Sequence, residues 1–297
     1  MKLLVVYNPV SGKRKLRDTK KIIEKKLSAM NYFFDWFETQ KTDMQPFEQY
    51  NFNAYDRILA VGGDGTVHQV VDYLLKHNIK KPLAIIPQGT GNLLAQTLDI
   101  PLFPIEKSVE FALNKDAKPV DVMYINDTHY ALTAVGVGYD SLFMKLTTRT
   151  LKRKLGFFAY IFVFLKTFFV YHNNIFSLVI DGERQQCTAK SIMVFNALTP
   201  LAKMSDKNIS PCDGMLSIAV LNPHSLWDLL HIGFHYIFKR TIDKAPKIKV
   251  FNGIDISINP KRESNLQIDG EVIQGKYMRI KMLPKALDIV YTKKFSK

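Results

Sequence analysis

Residues 57–77 read RILAVGGDGTVHQVVDYLLKH. The run RILAV is short and apolar beyond Arg57, which fits a buried strand. It enters Gly62-Gly63-Asp64-Gly65-Thr66. From Thr66 to His77 the spacing becomes helical, with Val67, Val70, Val71, Leu74 and Leu75 on one face. A glycine-rich turn between a buried strand and a helix is where α/β proteins hold phosphate. Glycine lets the backbone approach closely, and the helix start offers N–H groups and partial positive charge.

The same grammar repeats on both sides. Downstream, Leu83 to Ile86 (LAII) is another strand, and Pro87-Gln88-Gly89-Thr90-Gly91-Asn92 leads into a helix near Leu93 to Leu98. Upstream, Lys2 to Asn8 (KLLVVYN) is a strand ended by Pro9, with the turn Asn8-Pro9-Val10-Ser11-Gly12-Lys13. A helix follows over Asp18 to Met30, then an aromatic extended run over Phe33 to Thr39. Strands alternating with helices predict a doubly wound parallel sheet covered on both faces. In such a sheet the three turns lie at the strands' carboxyl ends and converge on one crevice. One glycine turn alone is as consistent with a plain tight turn; three at corresponding edges are not. A GxxxxGK[ST] loop is absent, as is GxGxxG with an acid about 20 residues on, which disfavours Walker-type triphosphatases and Rossmann dehydrogenases.

After about Asp121 the rhythm changes. Thr188 to Leu198, Met215 to Leu221, Ile248 to Ile258, Leu266 to Ile273 and Tyr277 to Met282 read as strands, with helical interruptions near 141–170 and 225–239. Turn signals punctuate this half: Asp181-Gly182, Asp213-Gly214, Asn252-Gly253 and Asp269-Gly270. Strands in series predict a mostly antiparallel β-sandwich. A length of 297 residues suits two domains of roughly 150.

Two cysteines, Cys187 and Cys212, exclude a disulfide framework and a four-cysteine zinc site. They fit a reducing cytosol, and the N-terminal apolar run is too short for a signal peptide, so a cytoplasmic protein is expected. Leu155 to Val170 is aromatic, but Lys166 interrupts it, and it reads as a buried or interfacial helix rather than a span. Lysine and arginine number 41 against 27 acids, a net charge of +14. That surface attracts nucleic acid, anionic headgroups or phosphorylated substrates.

Taken together, these motifs resemble the diacylglycerol kinase catalytic domain family, which includes soluble bacterial lipid kinases and sphingosine and ceramide kinases. The three turns look like its nucleotide motifs. Val135-Gly136-Val137-Gly138-Tyr139-Asp140, Leu155-Gly156-Phe157-Phe158-Ala159-Tyr160, Ser210 to Leu216 and Leu266-Gln267-Ile268-Asp269-Gly270-Glu271 match its later motifs in order. Leu93 stands where bacterial diacylglycerol kinases commonly carry aspartate, and Thr133 near the family's asparagine. The resemblance implies an NAD-kinase-like α/β nucleotide domain over 1–122 and a lipid-binding β-sandwich over 123–283. A C-terminal strand, 284–297, would return to the first domain through Ala286 to Tyr291.

What the resemblance implies chemically is ATP- and Mg2+-dependent phosphorylation of a lipid hydroxyl, with diacylglycerol going to phosphatidic acid. A sphingoid base or ceramide, or less readily NAD, is the alternative acceptor. Phosphoryl transfer needs the phosphates held, their charge neutralised and the acceptor placed. The backbone around Gly62, Gly63, Gly65, Gly89 and Gly91 would cradle phosphate, with Asn8, Thr39, Thr66, Thr90 and Asn92 beside it. Asp64 is the candidate ligand of the catalytic metal; the alternative is a helix-capping Asx turn. Asp213 resembles the family's structural magnesium ligand, with the carbonyls of Ser210 and Met215. Asp121 belongs either to an acidic network near the metals or to structural hydrogen bonding.

Asp269 is the candidate general base, with Glu271 beside it. Strand alternation would put the two on one face; the alternative is an Asp-Gly hairpin turn. Asp181-Gly182-Glu183 reads as a plain turn. His231 and His235 lack a third metal ligand. The basic clusters Lys145 to Lys154 and Lys239 to Lys249 read as solvated surface or as docking to an anionic membrane surface. The aromatics sit in apolar runs rather than among basic residues, which argues against nucleic acid. Both a monomer and a homodimer stay open.

Overall fold

The computed structural model describes residues 1–11, 16–39, 45–139, 141–142, 172–197, 210–225, 227–228, 231–232, 245, 247–293 and 295. The expected helix over Leu155 to Val170 and the basic cluster Lys145 to Lys154 lie outside them, as do Gly12, Asp140, His235 and most of Lys239 to Lys249. The chain divides into two units, Met1–Val122 with Pro284–Lys297, and Met123–Leu283.

In the first unit β1 (Lys2–Tyr7), β2 (Phe33–Glu38), β3 (Arg57–Gly62) and β4 (Leu83–Pro87) form a parallel sheet in the order β2-β1-β3-β4. The register sets Val6 beside Ala60 and Ala60 beside Ile85. Alternation sends Leu3, Val5, Leu59 and Val61 to one face. There they meet Ile23 and Leu27 of α1 (Leu16–Ala29) and Val109 and Leu113 of α4 (Ile105–Asn114). Leu4, Val6, Ile58 and Ala60 point the other way and are equally buried. Helix α2 (Asp64–Lys76) buries Val67, Val70, Val71 and Leu74 and lies against β3. Both faces are therefore covered, as a parallel sheet requires.

The second unit holds two antiparallel sheets around one core. One runs β12 (Ile248–Gly253), β11 (Leu216–Leu221), β10 (Ser191–Phe195), β7 (Ala134–Gly138), β14 (Leu266–Ile268) and β15 (Glu271–Ile273). The other pairs the start of β16 (Met278–Val290) with β13 (Asp255–Pro260), then β8 (Asn174–Ile180) and β9 (Glu183–Ala189). Val135, Ile192, Ile218 and Leu266 from the first meet Phe176, Leu178, Ile256 and Ile280 from the second. Each buried aliphatic side chain here adds about 1.5–3 kcal/mol of transfer free energy.

Three expected strands are each two. Thr188 to Leu198 breaks at Lys190 and Ile248 to Ile258 at Ile254, because the chain there passes from one sheet to the other. Period-2 patterning hides such a crossing, since both sheets face the same core. Leu266 to Ile273 folds back at Asp269-Gly270. Conversely, Tyr277 to Met282 and Ala286 to Tyr291 belong to the single strand β16. Among the described residues no helix is long and apolar enough to cross a membrane.

The far end of β16 joins the first unit's sheet, with Ile289 beside Leu83 of β4, and β5 (Ala117–Ile125) pairs with β16 and with β6 (His129–Ala131). Lys285 sits there in left-handed conformation, φ 52°. Its N–H donates at 2.8 Å to the carboxylate of Asp121, which is 1% exposed. Asp121 is thus a structural acceptor for the returning strand. Asp121→Ala leaves that N–H without its partner and is expected to cost about 1–3 kcal/mol, measured as a lower midpoint in chemical denaturation.

Candidate functional site

The first unit's turns are built by backbone contact. A Cβ on Gly89 would lie 2.6 Å from the Cα of Gly63, and one on Gly63 would lie 3.0 Å from the Cα of Gly89. Neither glycine has a positive φ, so packing rather than turn conformation excludes a side chain. A Cβ on Gly91 would come within 2.9 Å of Asp64 Oδ2. The loops after β3 and β4 therefore touch, with the Asp64 carboxylate against the second loop.

Side chains lock this contact. The Asn92 amide accepts the Gly89 N–H and donates to the Gly89 carbonyl, both at 2.8 Å. Asn92 is left-handed, φ 51°, and opens α3 (Leu93–Thr97). Asn8, after β1, donates to Thr66 Oγ1 at 2.8 Å and accepts the Val10 N–H at 3.1 Å. Ser11 Oγ accepts the Gly63 N–H at 3.0 Å. Thr66 and Asn92 are buried, so these residues brace the turns from beneath. Thr39, buried at the end of β2, donates its N–H to the Tyr7 carbonyl at 2.9 Å. Burial, and then Glu38, hold the Tyr7 hydroxyl above the ordinary phenol range.

This bracing corrects the expected set of phosphate donors. The Gly63 and Gly89 amides are spent on Ser11 and Asn92, and Gly62 lies within β3, its carbonyl accepting the Gln88 N–H at 2.7 Å. Among the described residues no hydrogen bond engages the N–H groups of Gly65, Thr90 and Gly91, all exposed. Those three amides are what the turns can offer an anion. Asp64 is the first residue inside α2, whose cap is Gly63, so its carboxylate is not the helix cap. In the first turn it complements the helix dipole. Ser11 is a site residue the sequence reading quoted but did not single out; its signal was a hydroxyl two residues after a strand-ending Asn-Pro. Leu93, 43% exposed, presents an apolar side chain at the start of α3.

In the second unit the DGE segment is not one strand. Asp269 and Gly270, φ 44° and 89°, form a two-residue turn with Ile268 paired to Glu271. Positive φ at both central residues is the type I′ signature. Asp269 and Glu271 therefore do not share a strand face. The Asp269 carboxylate accepts four bonds: from the N–H of Leu132 at 2.8 Å, Thr133 at 2.9 Å and Ala134 at 3.0 Å, and from the Thr133 hydroxyl at 2.5 Å. Three of these bonds fall on Oδ1 and one on Oδ2. Glu271 is exposed, and among the described residues no hydrogen bond or ion pair holds its carboxylate. Asp181-Gly182 turns the same way, φ 50° and 91°.

The Asp213 loop closes on itself. Its carboxylate accepts the N–H of Ser210 at 3.2 Å and of Met215 at 3.0 Å. The Ser210 and Met215 carbonyls belong to the same short loop as this carboxylate. An all-oxygen set of this kind fits a hard cation. Among the described residues no three His, Cys, Asp or Glu side chains cluster as a metal site.

Comparison with known proteins agrees with this geometry. Residues 2–125 match the diacylglycerol kinase catalytic domain, and residues 133–291 match the YegS C-terminal NAD kinase beta sandwich-like domain. A diacylglycerol kinase of Staphylococcus haemolyticus is 26% identical over 279 residues, 90% of this chain and 81% of that protein. One from Bacillus subtilis is 24% identical over 294 residues, 93% of this chain and 92% of that protein. The crystal structure of a diacylglycerol kinase from Bacillus anthracis superposes with TM-score 0.79 at 25% identity, covering 98% of this chain and 97% of that one. An NAD kinase from Archaeoglobus fulgidus, crystallised with ATP, shares the fold at TM-score 0.54 and 14% identity, covering 98% and 93%.

Asp269 and Glu271 should separate in a stability measurement. Asp269→Asn turns an NH2 group toward backbone N–H donors and is expected to cost about 1–3 kcal/mol. Glu271→Gln, on an exposed side chain, should stay within roughly 0.5 kcal/mol of the parent. Thermal unfolding of both variants checks this.

Proposed function

The chain belongs to the diacylglycerol kinase catalytic domain family, and from that premise we propose that it transfers the γ-phosphoryl group of ATP to a lipid hydroxyl, converting diacylglycerol to phosphatidic acid. The observation that carries this reading is the Gly63–Gly89 contact, beside which the amides of Gly65, Thr90 and Gly91, at the ends of two parallel strands, engage no hydrogen bond among the described residues. Backbone N–H groups at strand ends suit a triphosphate.

The proton has one best acceptor. Asp269 anchors the turn through four hydrogen bonds, three of them on Oδ1, whereas Glu271 is exposed and, among the described residues, held by no hydrogen bond or ion pair, so we assign Glu271 as the base and Asp269 as the anchor of its turn. The lipid oxygen bonds to the γ-phosphorus as its proton passes to the Glu271 carboxylate. The bond from the γ-phosphorus to its bridging oxygen breaks, and ADP leaves. Asp64 would hold one Mg2+ that neutralises phosphate charge, and Asp213, with the Ser210 and Met215 carbonyls, would hold a separate, structural Mg2+ that stiffens its own loop. The amides of Gly65, Thr90 and Gly91 orient the phosphates.

We also infer peripheral contact with an anionic membrane surface, because the acceptor hydroxyl lies at headgroup level. The support is the charge of +14 and the exposed Trp227, 73% accessible.

The test is γ-labelled ATP and Mg2+ with diacylglycerol, a sphingoid base, ceramide or NAD, on wild type and Glu271→Gln. Label in phosphatidic acid with wild type, falling about 10²- to 10⁴-fold in the variant, is the expected result. Label in the sphingoid base or ceramide supports the alternative lipid acceptor. Label in NAD alone refutes a lipid kinase. On anionic vesicles the rate should fall as salt screens the surface charge over about 8 Å.

A further inference from the structure

Residues Leu132 to Ala134 precede and enter β7, and other elements capture each of their backbone polar groups. Their three N–H groups donate to the Asp269 carboxylate. The Leu132 carbonyl accepts from the Asn196 side chain at 3.0 Å, and the Thr133 carbonyl accepts the N–H groups of Asn196 and Ala197 at 3.0 and 3.2 Å. The Ala134 carbonyl accepts the Asp269 N–H at 2.9 Å. From the other side, Gln267 accepts the Gly270 N–H at 2.7 Å. The turn that precedes Glu271 is thereby held from two directions.

The second Asp-Gly-Glu hairpin shows how much of this a turn needs. At Asp181-Gly182, with almost the same dihedral angles and with Ile180 paired to Glu183, the aspartate Oδ1 accepts two N–H groups, from Ile254 at 3.0 Å and Asp255 at 2.9 Å. That suffices to form the hairpin. At Asp269 a third N–H and the Thr133 hydroxyl are added, on a half-buried aspartate rather than an exposed one. The surplus occurs at the hairpin that carries the candidate base.

We propose that Thr133 is a positioning residue: its hydroxyl, bonded to Asp269, fixes the Asp269-Gly270 turn and through it the direction of Glu271. This rests on Glu271 being the base. Without the hydroxyl, three N–H bonds still hold the carboxylate, so the hairpin forms while the turn loses its tightest restraint. The donors act along a short covalent path, since Glu271 follows Asp269 by two residues. A displacement of about an ångström at a reacting group can cost as much as 10²-fold in rate.

The test compares wild type, Thr133→Val, Thr133→Ser and Glu271→Gln with labelled ATP and a short-chain diacylglycerol. Thr133→Val should lower kcat by about tenfold, with KM for ATP and lipid unchanged and the melting temperature close to wild type. Thr133→Ser, which keeps the hydroxyl, should recover kcat. An unchanged kcat in Thr133→Val, alongside an inactive Glu271→Gln, overturns the positioning role and leaves the base intact. An active Glu271→Gln overturns the base itself. If Thr133→Val does not fold, Thr133→Ala carries the same expectation: loss of kcat supports the role, and wild-type kcat refutes it. Equal loss in Thr133→Ser and Thr133→Val also refutes it, since the hydroxyl would then not be the operative group.

Discussion

The approach of Gly63 to Gly89 is the constraint on which the first unit's chemistry depends. Two loops that follow adjacent parallel strands are brought together so closely that a Cβ on Gly89 would collide with Gly63 and one on Gly63 would crowd Gly89. Everything near them serves that contact. Asn92 grips the Gly89 peptide by both its polar groups, Ser11 takes the Gly63 N–H, and Asn8 reaches Thr66 beneath. Among the described residues the amides of Gly65, Thr90 and Gly91 engage no hydrogen bond. Rigid bracing and free donors are two results of one arrangement, and preorganised donors are what phosphoryl transfer asks of a protein.

The second unit meets a similar requirement with a carboxylate instead of glycines. Asp269 gathers three successive backbone N–H groups that precede and enter β7, and so joins the hairpin to its sheet. The acid that looks most like a base from the sequence also holds the turn. The neighbouring Glu271 has no structural duty among the described residues, which is why the proposal gives it the proton. In the first unit Asp121, read from the sequence as either a member of an acidic network or a structural hydrogen-bond partner, accepts the Lys285 N–H of the returning strand.

The alternating α/β half was legible because each strand is a short buried run and each helix an amphipathic one, so β1, β3, β4 and α2 fall within a residue or two of the reading. Helix α4 escaped it, although Val109, Ala112 and Leu113 are spaced for one buried face. In the β half the turn signals were visible but strand membership was not. Ile248 to Pro260 is one apolar alternation, yet it belongs to two sheets that share a core. At the site, residue identities were legible and atom roles were not. That Asn92 clamps Gly89, or that Asp269 gathers four donors, depends on partners 3 and some 136 residues away in sequence, and spacing cannot reveal the latter.

The claim that three particular amides receive the phosphates can be tested directly by amide NMR of the full chain as Mg2+ and ATP are added. The account requires the largest shifts at Gly65, Thr90 and Gly91, with smaller changes at Gly63 and Gly89, whose N–H groups already donate to Ser11 and Asn92. Saturating nucleotide that leaves Gly65, Thr90 and Gly91 unshifted, or that moves amides only in the second unit, would contradict it.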